Sequence, residues 1–417
     1  MRTLGSRNAL VITGLWLAAA CSAGQQDGAD DDGSNAGAGG QSSTQASSTS
    51  ETVSATTSFG EGTGGSMAGC DSGPNEDADM DGFTFMQGDC NDCDANVNPN
   101  AIEVIVDDMG MGGGGGGMMA PADEDCDGMI DNVPMPCDAG LMLASSDALD
   151  AARAIELCHQ ATPEADWGVV SSQWVRANGT VAAPTDQWGI MPEFGPNMPA
   201  RAGENLFVMS SGKARLPSNG GCGSNICSGT GLGVAPPGFP QDNPSCPPSK
   251  EINDDVGLEL TLKAPSNATG YQFDFDFYSF EFPEWVCDSY NDQFIALVNP
   301  APMGSINGNI SFDSMNNPVS VNIAFFDVCT YDSFYPQFPC TLGPAELSGT
   351  GFDIWDDAGA TSWLQTTAPI GPGETFSIRF AIWDTGDDAW DSSVLIDNFE
   401  WIANGGTVNV GTNPVPD

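Results

Sequence analysis

Short runs of alternating apolar and polar residues follow one another from residue 167 onward, separated by glycine, proline, asparagine and aspartate. In one run Tyr271, Phe273, Phe275 and Phe277 fall on the same face of an extended chain. Such runs predict strands. The clearest are VGLELTLKAP (256–265), YQFDFDFYSFEF (271–282), DQFIALV (292–298), VNIAFFDV (321–328), FSIRFAIW (376–383) and VLIDNFEW (394–401).

Many short strands with little helix predict a mainly β fold, and we expect a jelly-roll-like β-sandwich over residues 145–403. One N-terminal helix is predicted in SSDALDAARAIELC (145–158), where Ser146 or Asp147 can cap the first turn. The apolar side of this helix would pack on the sheet, with Cys158 in a disulfide. Residues 404–417 are predicted to form a C-terminal tail.

The N-terminus has the pattern of a signal peptide over residues 1–20, because two arginines precede an apolar run from Ala9 to Ala20. The three alanines before Cys21 resemble a bacterial lipobox, which implies cleavage before Cys21 and a lipid on its thiol. Ordinary secretory cleavage near Ala20 is the alternative. Residues 21–69 are rich in glycine, serine and threonine, and predict a disordered stalk.

The excess of acidic over basic residues limits the kinds of molecule that the protein could bind. The chain has 57 acidic and 10 basic residues, a formal net charge of −47. Phosphate binding needs clustered lysine and arginine, so we expect no nucleic acid partner and membrane contact only through the lipid anchor. Cations are the natural complement of such a chain.

Cysteine usage agrees with export. Of 13 cysteines, a lipidated Cys21 leaves an even number to form disulfides in an oxidising compartment. The candidates are Cys70, Cys90, Cys93, Cys126, Cys137, Cys158, Cys222, Cys227, Cys246, Cys287, Cys329 and Cys340.

An Asp/Cys-rich module over residues 70–138 carries candidate metal chemistry. Asp77, Asp79 and Asp81 precede Gly82 with the spacing of a calcium loop, but Gly88 stands where an EF-hand has its glutamate. No helix pattern flanks the loop, so an EF-hand is not predicted. The same spacing returns in DEDCDGMID (123–131).

Zinc and redox chemistry are weaker alternatives for this module. Cys90 and Cys93 form a Cys-x-x-Cys pair, but exported thiols oxidise, no second such pair follows, and His159 is the only histidine.

The segments DADMDGF, GDCNDCDANVNPNAIE and DEDCDGMID resemble the MopE-type metal-binding motif of secreted bacterial proteins, over residues 75–132. The resemblance implies a cation site and a Cys90–Cys126 disulfide, and we expect the two loops to share one ion. Carboxylate-rich flexible loops favour calcium over magnesium, which is the alternative. An acidic, disulfide-linked spacer without an ion site is the alternative. The implied ligands are Asp77, Asp79, Asp81, Asp89, Asp92, Asp123, Asp125, Asp127 and Asp131. Two features depart from the motif: Cys93 is extra, and a glycine-rich run at 109–119 lengthens the connection.

A second resemblance covers residues 145–403. The segments DALDAARAIELC, WGVVSSQWV, FVMSSGKAR, FYSFEFPEWVCDSYNDQFIALV and IRFAIWDTGDDAWDSSVLIDNFEW are similar to the choice-of-anchor L domain of bacterial surface proteins. The resemblance implies residence at the cell surface and no established activity.

Carboxylates also follow two of the predicted strands and would meet if those strands are neighbours. They predict a second calcium site, with turn and capping roles as the alternative. The residues are Glu281, Asp292, Asp384, Asp388 and Asp391.

The remaining function classes are a sugar-binding surface and an enzyme. Exposed tryptophans could stack on sugar rings, although tryptophan is more often a core residue. The candidates are Trp285, Trp355, Trp363, Trp383 and Trp390. A single histidine and no nucleophile motif argue against an enzyme, but a two-carboxylate hydrolase stays open.

The sequence therefore predicts a non-catalytic lipoprotein of the outer membrane or cell surface, with calcium as its structural cofactor. Its sandwich would bind a polysaccharide or a protein. The alternatives are a lectin-like adhesin and a carboxylate-based glycoside hydrolase.

Overall fold

A computed structural model of the 417-residue chain describes residues 72–105, 121–162, 166–222, 224–227, 229, 231–323, 325–354, 358–403 and 405–415. The signal peptide, Cys21, the stalk, Cys70, the glycine-rich run and Trp355 lie outside these residues.

Thirteen strands and one short α-helix make up the regular structure of the described chain. The helix is α1 (Ala148–Arg153). The strands are β1 (Gly168–Val175), β2 (Trp188–Met191), β3 (Leu206–Ser210), β4 (Ile252–Lys263), β5 (Gly270–Ser279), β6 (Gln293–Asn299), β7 (Val319–Ser320), β8 (Val328–Cys329), β9 (Gly359–Ala360), β10 (Leu364–Pro369), β11 (Thr375–Thr385), β12 (Ser392–Ile402) and β13 (Gly411–Pro414).

These strands form two antiparallel sheets. The first sheet has five strands in the order β1-β4-β11-β6-β7, and the second has eight, with the path β13-β10-β5-β12-β3-β2. Strand β9 pairs with β5 and with β8 at the side of the second sheet. The predicted mainly β fold is confirmed.

Apolar side chains occupy every second position along the central strands, and together they form the core between the two sheets. Phe273 of β5 meets Phe380 of β11 edge to face at 5.0 Å between ring centroids, and Tyr271 stacks on Phe376 at 5.0 Å. All four side chains are at most 2% exposed. The predicted common face of β5 therefore packs against the facing sheet, where large aromatic rings bury the most apolar surface.

The predicted helix is shorter than expected. Asp147 caps it, its carboxylate accepting from the Leu149 N–H at 3.0 Å, but α1 ends at Arg153. Glu156 takes a left-handed backbone with φ of 70°, so the helix cannot continue to Cys158. Cys158 forms a disulfide with Cys137, as expected of a helix held by a covalent link.

One strand prediction was wrong, and one further strand was not predicted. VNIAFFDV (321–328) is not one strand: β7 ends before it and only its last residue enters β8. The segment predicted as a tail contributes β13, which pairs with β10 and extends the second sheet. Among the described residues, no helix has the length and apolar character needed to cross a bilayer.

Five disulfides are described, and Cys93 is also disulfide-bonded. The pairs are Cys90–Cys126, Cys137–Cys158, Cys222–Cys227, Cys246–Cys287 and Cys329–Cys340. The implied Cys90–Cys126 pair is confirmed.

The acidic module (72–105 and 121–138) is irregular in its described part, apart from one 3₁₀ turn at Phe85–Gln87. It packs on the turn between β4 and β5. Asn267 in that turn accepts from the Ile102 N–H at 3.0 Å and donates to the Ile102 carbonyl at 2.7 Å. The Ser266 N–H donates to the Asn100 carbonyl at 2.9 Å. These hydrogen bonds hold the module against the sandwich.

Candidate metal sites

The two aspartate-rich loops of the module have the same backbone shape. Their fourth residues, Met80 and Cys126, have φ of 67° and 58°, and their sixth residues, Gly82 and Gly128, have φ of 100° and 91°. A Cβ at either glycine would meet nothing within 4 Å, so the left-handed backbone itself favours glycine there. The sequence repeat is therefore a structural repeat.

The side chains of the two loops also repeat. The first carboxylate of each loop accepts from the glycine N–H, Asp77 from Gly82 at 3.1 Å and Asp123 from Gly128 at 3.0 Å. The third residue, Asp79 or Asp125, accepts from the N–H two residues ahead, at 3.2 and 3.1 Å. These hydrogen bonds fold the backbone of each loop around its own carboxylate side chains.

The first loop gathers five predicted ligands. Carboxylate oxygens of Asp77, Asp79 and Asp81 lie within 4.8 Å of one another, and so do those of Asp79, Asp89 and Asp92. Since Asp79 belongs to both sets, the five residues form one continuous group. We call this group the first cluster.

Several carboxylate oxygens of the first cluster are buried without a hydrogen-bond partner. Asp89 is 1% exposed; one of its oxygens accepts from the Asn91 N–H at 2.8 Å, and the other has no partner. Asp79 and Asp81 each have one such oxygen as well. Burial, with the charges of Asp81 and Asp79 adding to it, raises the pKa of Asp89 to about 6. An oxygen-binding cation would satisfy these atoms.

The second loop forms a separate group with a residue of the first segment. Oxygens of Glu103, Asp123, Asp125 and Asp127 lie within 4.8 Å of one another, and Glu103 also joins Glu124 and Asp131 within that distance. These six residues are the second cluster.

Glu103 is the centre of the second cluster. One of its oxygens accepts from the Asp131 N–H at 3.1 Å, and the other is buried without a partner. Burial, with the neighbouring Glu124 carboxyl group adding to it, raises the pKa of Glu103 to about 8. Asp123 and Asp131 also have one buried, unpartnered oxygen each.

The arrangement differs from the expected single shared ion. No grouping among the described residues joins an aspartate of the first loop to one of the second, because each loop turns its carboxylates toward its own backbone N–H groups. Glu103 and Glu124 were not predicted as ligands. The glutamate that ends NPNAIE was the available signal for Glu103, and Glu124 offered none.

The cysteines and the histidine have structural partners. Cys90 is bonded to Cys126, and Cys93 is also in a disulfide, so neither offers a thiolate to zinc or to a redox reaction. The His159 ring stacks on Trp167 at 3.9 Å and its Nδ1 lies 3.0 Å from the Trp167 carbonyl.

The carboxylates predicted for the second calcium site do not all come together. Glu281, Asp292, Asp384 and Asp391 are buried at one end of the sandwich. Asp388 is exposed on the turn between β11 and β12.

The predicted surface tryptophans are mostly enclosed. Trp383 is fully buried, contrary to the prediction, because it faces the outer side of β11 where Phe239 covers it. Trp285, Trp363 and Trp390 are half-buried. Trp285 and Trp390 lie 6.2 Å apart between ring centroids, and the Arg201 guanidinium lies 5.5 Å from the Trp363 ring.

A further acidic group predicts a pH effect on stability. Burial and the charge of Asp138 raise the pKa of Glu156 to about 7, above the usual carboxyl range. The folded state therefore disfavours ionised Glu156, so its contribution to stability is fully present below about pH 4.5 and is lost as pH rises through about 7. We expect Glu156→Gln to raise the melting temperature by about 3 °C at pH 8 and to leave it unchanged at pH 4.5.

Thermal unfolding at the two pH values measures this effect, with Glu204→Gln as the control because Glu204 is exposed nearby. An equal effect of Glu156→Gln at both pH values would contradict the assignment.

The sequence also matches a known protein family. The sequence profile of the choice-of-anchor L domain matches residues 177–400, more than half of the chain. A search of curated proteins returns no significant match. The family match and the disulfides indicate an extracellular or cell-surface protein. This chain belongs to the choice-of-anchor L domain family.

Proposed function

We propose that the protein is a non-catalytic cell-surface lipoprotein whose acidic module binds two calcium ions, one in each cluster. One observation carries the proposal: two loops of the same shape each surround buried carboxylate oxygens that have no hydrogen-bond partner. Leaving such oxygens unpaired in a folded protein is costly, and a bound cation removes the cost.

The chemistry of the ligands favours calcium. Every candidate ligand side chain is a carboxylate, and calcium takes six to eight oxygens in flexible geometry, whereas magnesium demands a strict octahedron. Irregular loops with several carboxylates each suit the larger ion. We expect affinities in the micromolar to millimolar range that is common outside the cell.

Calcium would stiffen the attachment of the sandwich. The module precedes the sandwich in the chain and holds the β4–β5 turn through Asn267 and Ser266. With a lipid on Cys21 and a stalk over residues 21–69, the module comes between the anchor and the domain in the sequence. Calcium would then set how the sandwich is presented to its ligand, which we expect to be a polysaccharide or a protein.

Calorimetric titration of the metal-free protein tests the two-ion assignment. Asp79→Asn and Asp125→Asn keep an oxygen for the backbone bond but remove a charge from the first and second clusters, respectively. We expect each substitution to weaken calcium binding at its own cluster by about tenfold or more. The calcium affinity of the other cluster should be unchanged.

Asp94→Asn is the matched control, since Asp94 caps the Asn96 N–H at 3.2 Å in the same module but belongs to neither cluster. Unchanged calcium binding in both Asp79→Asn and Asp125→Asn would refute the assignment.

A further inference from the structure

A small cavity lies at the second sheet, where β3 ends and β12 begins. Ser210 and Ser393, which pair across these two strands, line it together with Arg215 from the loop after β3. The cavity encloses about 20 Å³ that a water-sized group can occupy. A single water needs about 10–15 Å³ by the same measure, so one or two oxygen atoms of a ligand would fit.

Arg215 differs from the other basic residues of the described chain. Six of those form ion pairs with carboxylates, and Lys250 is exposed over the ring of Tyr290. Arg215 is 9% exposed and forms no ion pair with a described residue. A buried charge without a counter-charge is costly, and an anionic ligand would remove that cost.

The backbone around Arg215 holds its guanidinium in place. Nη1 donates to the carbonyl of Trp188 at 2.5 Å and to that of Ala214 at 2.7 Å. A Cβ on Gly189 would lie 2.6 Å from Nη1, so the missing side chain there makes room for the guanidinium. Within the described residues these are its hydrogen bonds, which leaves Nε and Nη2 as a fork of donors. Such a fork matches the two oxygens of a carboxylate.

Lys213 adds a second positive charge to the cavity. The chain has 10 basic residues against 57 acidic ones, so two of them in one small cavity distinguish this place from the rest of the protein. Lys213 pairs with Asp186 at 3.1 Å, but the two side chains are 34% and 49% exposed. Because an exposed ion pair contributes little, the Lys213 ammonium can turn to a ligand instead.

Asp391 is the one carboxyl group among the described residues that line the cavity. One of its oxygens accepts from the Cys227 N–H at 2.7 Å. Burial raises the pKa of Asp391 to about 8, so this group is neutral at pH 6. With Lys213 and Arg215 charged, the cavity lining has a net positive charge at that pH.

Aromatic rings and hydroxyl groups complete the lining. Phe280 stacks on Phe352 at 4.4 Å between ring centroids, and Phe194 lies 6.5 Å from Phe352. An apolar wall lowers the local dielectric constant, which strengthens the attraction between the guanidinium and an anion. Side-chain hydroxyls can exchange hydrogen bonds with the hydroxyls of a sugar. Those that line the cavity belong to Ser210, Ser224, Thr350 and Ser393.

We propose that Arg215 and Lys213 bind the carboxylate of a sugar acid in this cavity. The small volume favours the two oxygens of a planar carboxylate over the four of phosphate or sulfate. The net charge of −47 repels polyanions, so the carboxylate would belong to an otherwise neutral glycan or to a free sugar acid.

This proposal narrows the ligand class of the sandwich. The lining residues lie within the choice-of-anchor L match at 177–400 and outside the acidic module. The proposal therefore rests on the proposed function only for the expectation that the sandwich binds a ligand, and it does not require calcium.

Saturation-transfer NMR of glucuronate with the metal-free protein at pH 6 tests the proposal. Glucose is the matched ligand, because it has the same ring without the carboxylate. We expect glucuronate to bind with a Kd on the order of 1 mM, and glucose to bind at least about tenfold more weakly. A neutral oligosaccharide that carries one glucuronate separates the two sources: tighter binding than the free acid indicates a glycan, and equal binding indicates the free sugar acid.

Two variants locate the binding. Arg215→Lys keeps the charge but loses the fork, and should weaken glucuronate binding by about tenfold. Lys213→Ala removes a partly exposed charge, and should weaken it by about threefold without loss of folding. Lys263→Ala is the matched control, since Lys263 is also a partly exposed lysine paired with an aspartate, Asp166, and does not line the cavity.

Equal affinity for glucuronate and glucose would overturn the proposal, and so would unchanged glucuronate binding in both Arg215→Lys and Lys213→Ala. A peptide that binds through its free terminal carboxylate, when glucuronate does not bind, would overturn the assignment to a sugar acid. Calcium titration of Arg215→Lys separates this proposal from the proposed function, because both clusters should bind calcium as they do in the wild type.

Discussion

Calcium added to the metal-free protein at neutral pH should raise the melting temperature of the transition that includes the acidic module by on the order of 10 °C. An ion that binds only the folded state stabilises it by about 2.7 kcal/mol per site at a hundredfold excess over Kd. Two clusters therefore contribute about 5 kcal/mol. Without the ion, burial raises the pKa of Asp89 and of Glu103, and repulsion between neighbouring carboxylates adds to it.

Differential scanning calorimetry with a calcium titration measures this rise. Asp79→Asn and Asp125→Asn should each remove about half of it, and Asp94→Asn should retain all of it. If the double variant Asp79→Asn, Asp125→Asn shows the full rise, calcium does not act through the two clusters.

Removing the disulfide that joins the two loops should have the second largest effect. Cys90 and Cys126 are 36 residues apart in sequence, and a cross-link over such a span stabilises by about 4 kcal/mol in the chain-entropy account. Cys90 follows Asp89 directly, and Cys126 is the fourth residue of the second loop with a left-handed backbone. The bond therefore holds parts of both clusters in place.

We expect the Cys90→Ala, Cys126→Ala double variant to melt about 8 °C below the wild-type protein. It should also bind calcium about tenfold more weakly than the wild type. Removing Cys329–Cys340, which spans 11 residues within the sandwich, is the control. It should lower stability without changing calcium binding by the module. Equal calcium affinity after loss of either disulfide would show that the loops are organised without their cross-link.

The central strands could be predicted from sequence because successive side chains of a strand lie on opposite faces of the sheet. An alternating apolar pattern therefore indicates both the strand and its buried face. The aromatic alternation of β5 and β11 survives in the structure, where Phe273 and Phe380 meet in the core. Edge elements had no such signal. β13 is a strand because β10 offers it a partner, and its own sequence of glycine, asparagine and proline resembles a loop.

The ends of elements were the least predictable part of the fold. The helix stops early because Glu156 adopts a left-handed backbone beside a disulfide, a constraint that periodicity does not contain. Similarly, Trp383 is enclosed by Phe239 from a distant loop, so its burial depends on tertiary packing.

The candidate metal sites also differ in how far local sequence could predict them. The two loops could be predicted because their ligands are local: spacing and glycine position determine which N–H each carboxylate meets. The role of Glu103 depends on where the chain returns after the first loop. The burial of Asp384 at one end of the sandwich depends on distant strand ends, and sequence alone could not separate it from the exposed Asp388.

A crystal structure of the protein grown with calcium, with anomalous scattering measured near the calcium edge, tests the central claim most directly. We predict one calcium peak in the first cluster, within about 2.3–2.6 Å of oxygens of Asp79, Asp89 and Asp92, and a second beside Glu103, Asp123 and Asp125. Metal-free loops in saturating calcium, or a single ion held jointly by both loops, would contradict the two-ion account.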